Sequence, residues 1–176
     1  MLENLMTETE EIVWQGRFIT AKTRGRWEYV SRSRGISAAV ILAVHEGAVV
    51  LVEQYRVPLG RSCIELPAGL IGDHESGEAP ELAAARELEE ETGFRAGRME
   101  NLGEFYSSPG MVSEAFHLMR AHDLVQVHAG GGVEGENITV HLVPLPELER
   151  FVADKRAQGC GMDVKLLMLL GARMLG

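Results

Sequence analysis

Residues 72–94 read GDHESGEAPELAAARELEEETGF, and the rest of the chain is read outward from this stretch. Pro80 suits the first turn of a helix and Gly93 its C-terminal cap, which predicts a helix over residues 80–92. Leu82, Ala84, Ala85 and Leu88 supply an apolar side to anchor it on a sheet. Arg86, Glu87, Glu89, Glu90 and Glu91 crowd its second half. Glu87 lies three and four residues before Glu90 and Glu91, so these carboxylates share a face and repel one another. They also occupy the last turns, where the helix macrodipole disfavours anions. An arbitrary glutamate run is usually a solvated face. Here the charges oppose both local rules, so compensation is expected. Arg86 reaches Glu90 at i, i+4, and divalent cations that prefer oxygen would neutralise the rest.

Upstream, Pro58, Gly60, Pro67, Gly69 and Gly72 mark an irregular loop that brings backbone close to a ligand. Before it, residues 37–44 and 48–55 read as strands joined by His45-Glu46-Gly47. The first of these is almost wholly apolar, as in a strand covered on both faces. Residues 12–20 and 26–31, flanking Thr23-Arg24-Gly25, read as a β-hairpin. The hairpin has few apolar residues of its own and should lean on another surface, such as a second copy of the chain. Downstream, residues 99–106, 115–121 and 138–143 alternate as strands. Ala129-Gly130-Gly131-Gly132 reads as a flexible loop, with a helix after Pro146 and another over 162–174. This order predicts a mixed α/β sandwich, not an all-parallel doubly wound sheet.

The 176 residues suit one domain, and an apolar share of 45% with 24% charged residues is ordinary for a globular protein. A net charge of −9 excludes a general nucleic-acid binder, and any phosphate-bearing ligand would need metal ions or local arginines. Cys63 and Cys160 are isolated thiols in no metal-ligand spacing, residues 1–11 lack the pattern of a targeting signal, and the longest apolar runs are too short to span a bilayer. A soluble, cytoplasmic protein with no membrane partner is expected.

Gly72-x5-Glu78-x7-Arg86-Glu87-Leu88-x-Glu90-Glu91-x-Gly93-Phe94 resembles the Nudix box at all nine of its defined positions. Glu65-Leu66-Pro67-Ala68-Gly69 precedes it as in many members, and the resemblance covers the chain after about its first ten residues. It implies the Nudix fold, an α/β (α+β) architecture with a mixed sheet sandwiched between helices. Residues 1–10 would be a flexible N-terminus, 11–34 the β-hairpin and 35–176 the catalytic domain. It implies hydrolysis of a nucleoside-linked diphosphate by a metal-activated water. Glu87, Glu90 and Glu91 would hold Mg2+ (or Mn2+), with the carbonyl of Ala68 as a further ligand. Arg86 would orient the glutamates, and Glu78 would be mainly structural.

Substrate choice rests on the flanks. Ser108-Pro109-Gly110, followed by Glu114, resembles the segment of ADP-ribose pyrophosphatases and their nucleotide-sugar relatives. Arg56, within Gln54-Tyr55-Arg56, suits a phosphate contact, because guanidinium matches phosphate geometry. Arg17, Phe18, Arg26, Trp27 and Glu28 hold positions similar to those that cradle adenine in the family, and the subgroup is typically a homodimer whose hairpin serves the partner's site. The resemblance puts the general base on a loop after the box. Glu136 is preferred and Glu134 second, with glycines that let the loop close. His117 and His141 are expected to be structural. ADP-ribose, cleaved to AMP and ribose 5-phosphate, is the expected substrate. GDP-mannose or another nucleotide sugar is the alternative, and a non-catalytic binding module of the same fold comes third.

Overall fold

Strand β4 (Ser37–His45) lies at the centre of the molecule, and its alternation sorts the protein into layers. Ala39, Ile41 and Ala43 are buried in one apolar cluster, and Val40 in the other. This is the two-faced burial that its sequence predicts. The structure, a computed structural model, describes residues 8–33, 36–72, 77–133 and 135–174. Most of the N-terminus expected to be flexible, and Glu134, therefore lie outside the described residues.

From β4 the chain turns through Glu46 and Gly47, both at positive φ, into β5 (Ala48–Arg56). β5 pairs antiparallel with β6 (Arg61–Glu65) and with β10 (Thr139–Pro144), while β11 (Gly161–Met162) runs parallel to β6. β4 pairs antiparallel with β7 (Ala68–Ile71) and parallel with β9 (Ala115–Gln126), which carries β8 (Phe94–Tyr106) at its outer side. These eight strands form one mixed sheet.

Helix α1 (Pro80–Thr92) covers one face, with Ala84 and Leu88 packed against Ala39, Ile41, Val50 and Phe94. Leu88 is fully buried, and its truncation to alanine should cost about 2–5 kcal/mol. On the other face lie Leu148 and Val152 of α2 (Leu148–Ala157) and Leu166, just before α3 (Leu167–Met174). They meet Val40, Val49, Leu51 and Ile64. Helices therefore cover both faces of the sheet. Among the described residues, no helix is long and apolar enough to cross a membrane.

Three local expectations are corrected. The N-terminal hairpin is a three-stranded antiparallel sheet of β1 (Glu10–Gln15), β2 (Ile19–Arg24) and β3 (Trp27–Arg32). Residues 12–20 are not one strand, because the chain reverses at Gly16, whose amide donates to the carbonyl of Ile19. The loop upstream of α1 contains β6 and β7: Pro58 and Gly60 form the turn before β6, and Pro67 stands between β6 and β7. On α1 itself Leu82 is exposed and Ala83 buried, because the face carrying Ala84, Leu88 and Glu91 is the one turned inward.

Candidate active site

The C-terminal half of α1 and strand β7 form the floor of a cleft of about 590 Å³. α1 ends as predicted, with Gly93 at φ +74° and its amide donating to the carbonyl of Glu89 at 2.8 Å. Glu87, Glu90 and Glu91 all line the cleft. Glu91 is 5% exposed, and one carboxylate oxygen accepts from the amide of Ala68 at 3.1 Å. Burial pushes this carboxyl up to about 8; the Ala68 amide pulls it down, and Glu87 and Glu136 push it further up. Burial also raises Glu87, against the pull of Arg86. Gly69 makes room for Glu87, because a Cβ there would sit 1.9 Å from its carboxyl carbon.

Arg86 binds Glu87 at 2.9 Å and Glu90 at 3.2 Å, and lies 3.7 Å from Glu78. The i, i+4 contact expected from the sequence is therefore made, and the same guanidinium reaches two further acids. One cation among these acids leaves negative charge uncompensated. Hard carboxylate oxygens with such a deficit fit a divalent cation. Among the described residues, no three His, Cys, Asp or Glu side chains yet stand around a common point for an ion. Arg86 draws Glu87 and Glu90, while Ala68 draws Glu91, so these side chains would turn to share one.

Arg56 and Glu65 form one wall. The guanidinium grips the carboxylate through Nε at 2.6 Å and Nη2 at 2.8 Å, a fork that leaves Nη1 out of the pair. The Glu65 contact raises the pKa of Arg56, so its charge is permanent. Glu136 also lines the cleft, close enough to Glu87 and Glu91 to raise both. Its carboxylate accepts from the Val133 amide at 2.9 Å, and the Val133 carbonyl accepts from its own amide at 3.1 Å.

Ser107 lines the cleft, and Ser108, Pro109 and Gly110 do not. That turn is closed by amides of Met111 and Val112 donating to the Ser108 carbonyl at 3.0 and 2.9 Å. It is tied to β3 by Val30, which donates to Met111 and accepts from Ser113, each at 3.0 Å. Arg32, on β3, enters the cleft in an ion pair with Glu114. Arg17, Phe18, Arg26, Trp27 and Glu28 do not line it. Arg17 lies 5.0 Å above the Phe18 ring, Phe18 is 64% exposed and Trp27 46%.

Sequence reasoning assigned no role to Arg32, Glu65 or Lys165. Glu65 carried a signal, an acid directly after the apolar pair Cys63-Ile64 and before Leu66. Lys165 had only the unusual run Met162-Asp163-Val164-Lys165; in the structure Asp163 holds it at 2.6 Å, beneath which lies the Phe116 ring at 5.6 Å. Arg32 had none, since its place depends on how the N-terminal sheet docks. His141 is bonded to Glu53 at 2.9 Å, and neither His117 nor His141 lines the cleft.

Comparison with known proteins places this geometry. The NUDIX domain family matches residues 33–159. A GDP-mannose pyrophosphatase of Cronobacter sakazakii (strain ATCC BAA-894) is 40% identical over 147 residues, covering 78% of this chain and 72% of that protein. An ADP-ribose pyrophosphatase of Bacillus subtilis (strain 168) is 43% identical over 88 residues, covering 50% of this chain and 46% of that protein, so the match spans less than half of that relative's length. The crystal structure of an ADP compounds hydrolase superposes with a TM-score of 0.71 at 24% identity, covering 96% of this chain and 92% of that one; at that identity the likeness is one of fold.

Proposed function

We propose, from the premise that this chain belongs to the NUDIX family, that it hydrolyses the diphosphate bridge of a nucleoside-diphosphate sugar in a Mg2+-dependent reaction, with ADP-ribose as substrate and AMP and ribose 5-phosphate as products. One observation carries this. Glu87, Glu90, Glu91, Arg56 and Glu136 line a single cleft, in which the buried Glu91 carboxylate is bonded to the Ala68 amide and pushed up by burial. The cleft volume also falls in the range of small-molecule sites.

Glu87, Glu90 and Glu91, with the Ala68 carbonyl, would hold the metal. A bound divalent cation would offset the charge of carboxylates and diphosphate together and make the attacking water more acidic. Arg86 fixes the orientation of Glu87 and Glu90. Arg56, held in plane by Glu65, offers its guanidinium edge to a phosphate. Glu136 takes the proton from water as its oxygen attacks phosphorus, and the bridging P–O bond breaks, leaving one phosphate on each product. Ser108, Pro109 and Gly110 set the position of Ser107 at the cleft edge.

Arg17, Phe18, Arg26, Trp27 and Glu28 would recognise the base. Their distance from this chain's own cleft is accounted for if the segment of residues 11–34, which holds β2, β3 and nearly all of β1, serves the site of a second copy. The enzyme would then be a homodimer whose catalytic domain comprises residues 35–176. Two thiols without disulfide or metal partners suit the cytoplasm.

The experiment is a turnover panel of nucleotide sugars with Mg2+ or Mn2+. Hydrolysis of ADP-ribose ahead of all others supports the assignment. Turnover of GDP-mannose without ADP-ribose would replace it with the second reading, which the longer match to the GDP-mannose relative favours.

A further inference from the structure

The glycine run at 130–132 is bolted to the end of α1 rather than hanging free. The amide of Gly131 donates to the carbonyl of Glu91 at 2.8 Å, and that of Gly132 to the carbonyl of Glu90 at 3.1 Å. Both bonds land on the backbone of residues whose side chains line the cleft floor. The carbonyl of Gly131 in turn accepts from Ile138 at 3.2 Å, which closes the base of the loop that carries Glu136. Ile138 is itself buried.

Two of the three glycines leave little room for a side chain. Gly130 has φ +73°, and a Cβ there would lie 2.4 Å from the carbonyl carbon of Thr92 and 2.7 Å from the carbonyl oxygen of Glu91. Gly132 has φ +76°, and its Cβ would lie 2.3 Å from a carboxylate oxygen of Glu136 and 2.9 Å from the Ile138 side chain. One glycine thus brings the loop onto the helix, and the other leaves room for the acid. A helix C-terminus has carbonyls without intrahelical partners, and here the loop supplies their donors.

We infer that this run is a backbone clamp that keeps the Glu136 loop in register with the carboxylate end of α1, making Gly130 and Gly132 positioning residues. The inference rests on the hydrolysis proposed above. Movement of the loop is transmitted to the backbone of Glu90 and Glu91, so metal affinity and proton acceptance are coupled through two amides.

The test uses the full chain and three alanine variants, Gly130→Ala, Gly132→Ala and Gly47→Ala. Gly47 has φ +79° with nothing near its Cβ, and it lies in the β4–β5 turn away from the cleft. It carries the same backbone penalty without the clamp. Gly132→Ala should lower kcat by about 10-fold or more, with KM for the best nucleotide sugar held within about 3-fold, because a general base contributes at least that much. Added to Glu136→Gln it should cost nothing further, since it acts through that carboxylate. Gly130→Ala should lower kcat and also weaken Mg2+ binding by about 10-fold, read by titration calorimetry with the metal alone. Gly47→Ala should keep wild-type kcat and Mg2+ affinity.

A wild-type kcat in Gly132→Ala would overturn the clamp, as would a loss that multiplies in full with that of Glu136→Gln. If Gly130→Ala does not fold, Gly132→Ala decides, because its Cβ meets only side chains that can move. A wild-type protein inactive on every nucleotide sugar would sink the proposed hydrolysis but not the clamp. Hydrogen exchange then decides: the Gly131 and Gly132 amides should be protected like those inside α1, and exchange at the rate of a free loop would overturn it.

Discussion

The floor of the cleft and the N-terminal sheet are built on opposite terms. On the floor each charged group is placed by neighbours in its own chain: Glu91 by the Ala68 amide, Glu87 by Arg86 and the gap at Gly69, Glu90 by Arg86. In the N-terminal sheet β1 is exposed at every position, and Ile12, Val13, Trp14, Phe18 and Trp27 all face water in the single chain. Single exposed apolar residues are common, but these five large ones within residues 12–27 suit a surface that a second copy would cover. On the proposed function the chemistry is assembled within one chain, and recognition of the base would fall to a surface that a second copy covers. Substitutions on the floor should act on kcat, and those in the sheet on KM and association.

The largest effect should come from Glu91→Gln. It removes a carboxylate proposed to hold the metal and should lower kcat at saturating Mg2+ by 100-fold or more, on the order of what even an outer-sphere change costs at a metal site. The fold should survive. In the metal-free protein the buried carboxyl is unfavourable when ionised, so the variant should melt at the same temperature as wild type or higher at pH 8. A fully active variant, or one that fails to fold, would break the division drawn above.

The floor was legible for the same reason that it is self-contained. A helix whose acids oppose its own dipole can be recognised from spacing alone, and Pro80 and Gly93 fixed its ends. Around it β4 followed from its apolar run and β8, β9 and β10 from alternation. β8 was read five residues short at its start, because Arg95, Gly97 and Arg98 interrupt its apolar pattern, and β9 five short at its end; β7, part of the same floor, was read as loop. The wall was half legible. Arg56 could be proposed as a phosphate contact, but its fork with Glu65 depends on β5 and β6 pairing, which Pro58 and Gly60 in the short turn between them obscured. The sheet was least legible: Arg32 enters the cleft only because Val30 bonds to the turn after Pro109, a long-range contact with no local pattern.

A pH series sharpens the account of the floor. Glu91 titrates near 8 in the folded chain and near 4.5 when unfolded. A group raised by folding contributes stability at low pH, and that contribution is lost as pH rises through the folded value. Without metal, the melting temperature should therefore fall between about pH 5 and 8 by more in wild type than in Glu91→Gln. Mg2+ affinity should rise over the same window, because ionising the carboxyl no longer has to be driven by the metal. Scanning fluorimetry with and without Mg2+ reads both, and identical slopes in the two proteins would remove Glu91 as their source.

Arg56→Lys should show that the wall requires geometry as well as charge. A lysine keeps the positive charge but not the flat fork that meets Glu65 twice. A loss of about 10-fold in kcat/KM is expected, a typical scale for one phosphate contact. Restoration of wild-type kinetics by lysine would mean that Arg56 supplies field and not orientation.

Trp27→Ala should give the smallest effect, and it separates the two regions most cleanly. An indole that stacks on a base contributes about 1–3 kcal/mol in other nucleotide-binding surfaces, so KM should rise by about 5-fold or more with kcat unchanged. Because Trp27 lies outside its own chain's cleft, the effect should depend on a second copy. Trp14→Glu, placed on exposed β1, should shift the protein toward monomer in sedimentation and raise KM for the same reason. Mixing Trp27→Ala chains with Glu91→Gln chains then discriminates. If each sheet serves its partner, a mixed dimer pairs an intact floor with an intact sheet at one of its two sites, and that site should regain the wild-type KM. If each sheet served its own floor, no site in the mixture would hold both intact parts, and the raised KM would persist at every ratio.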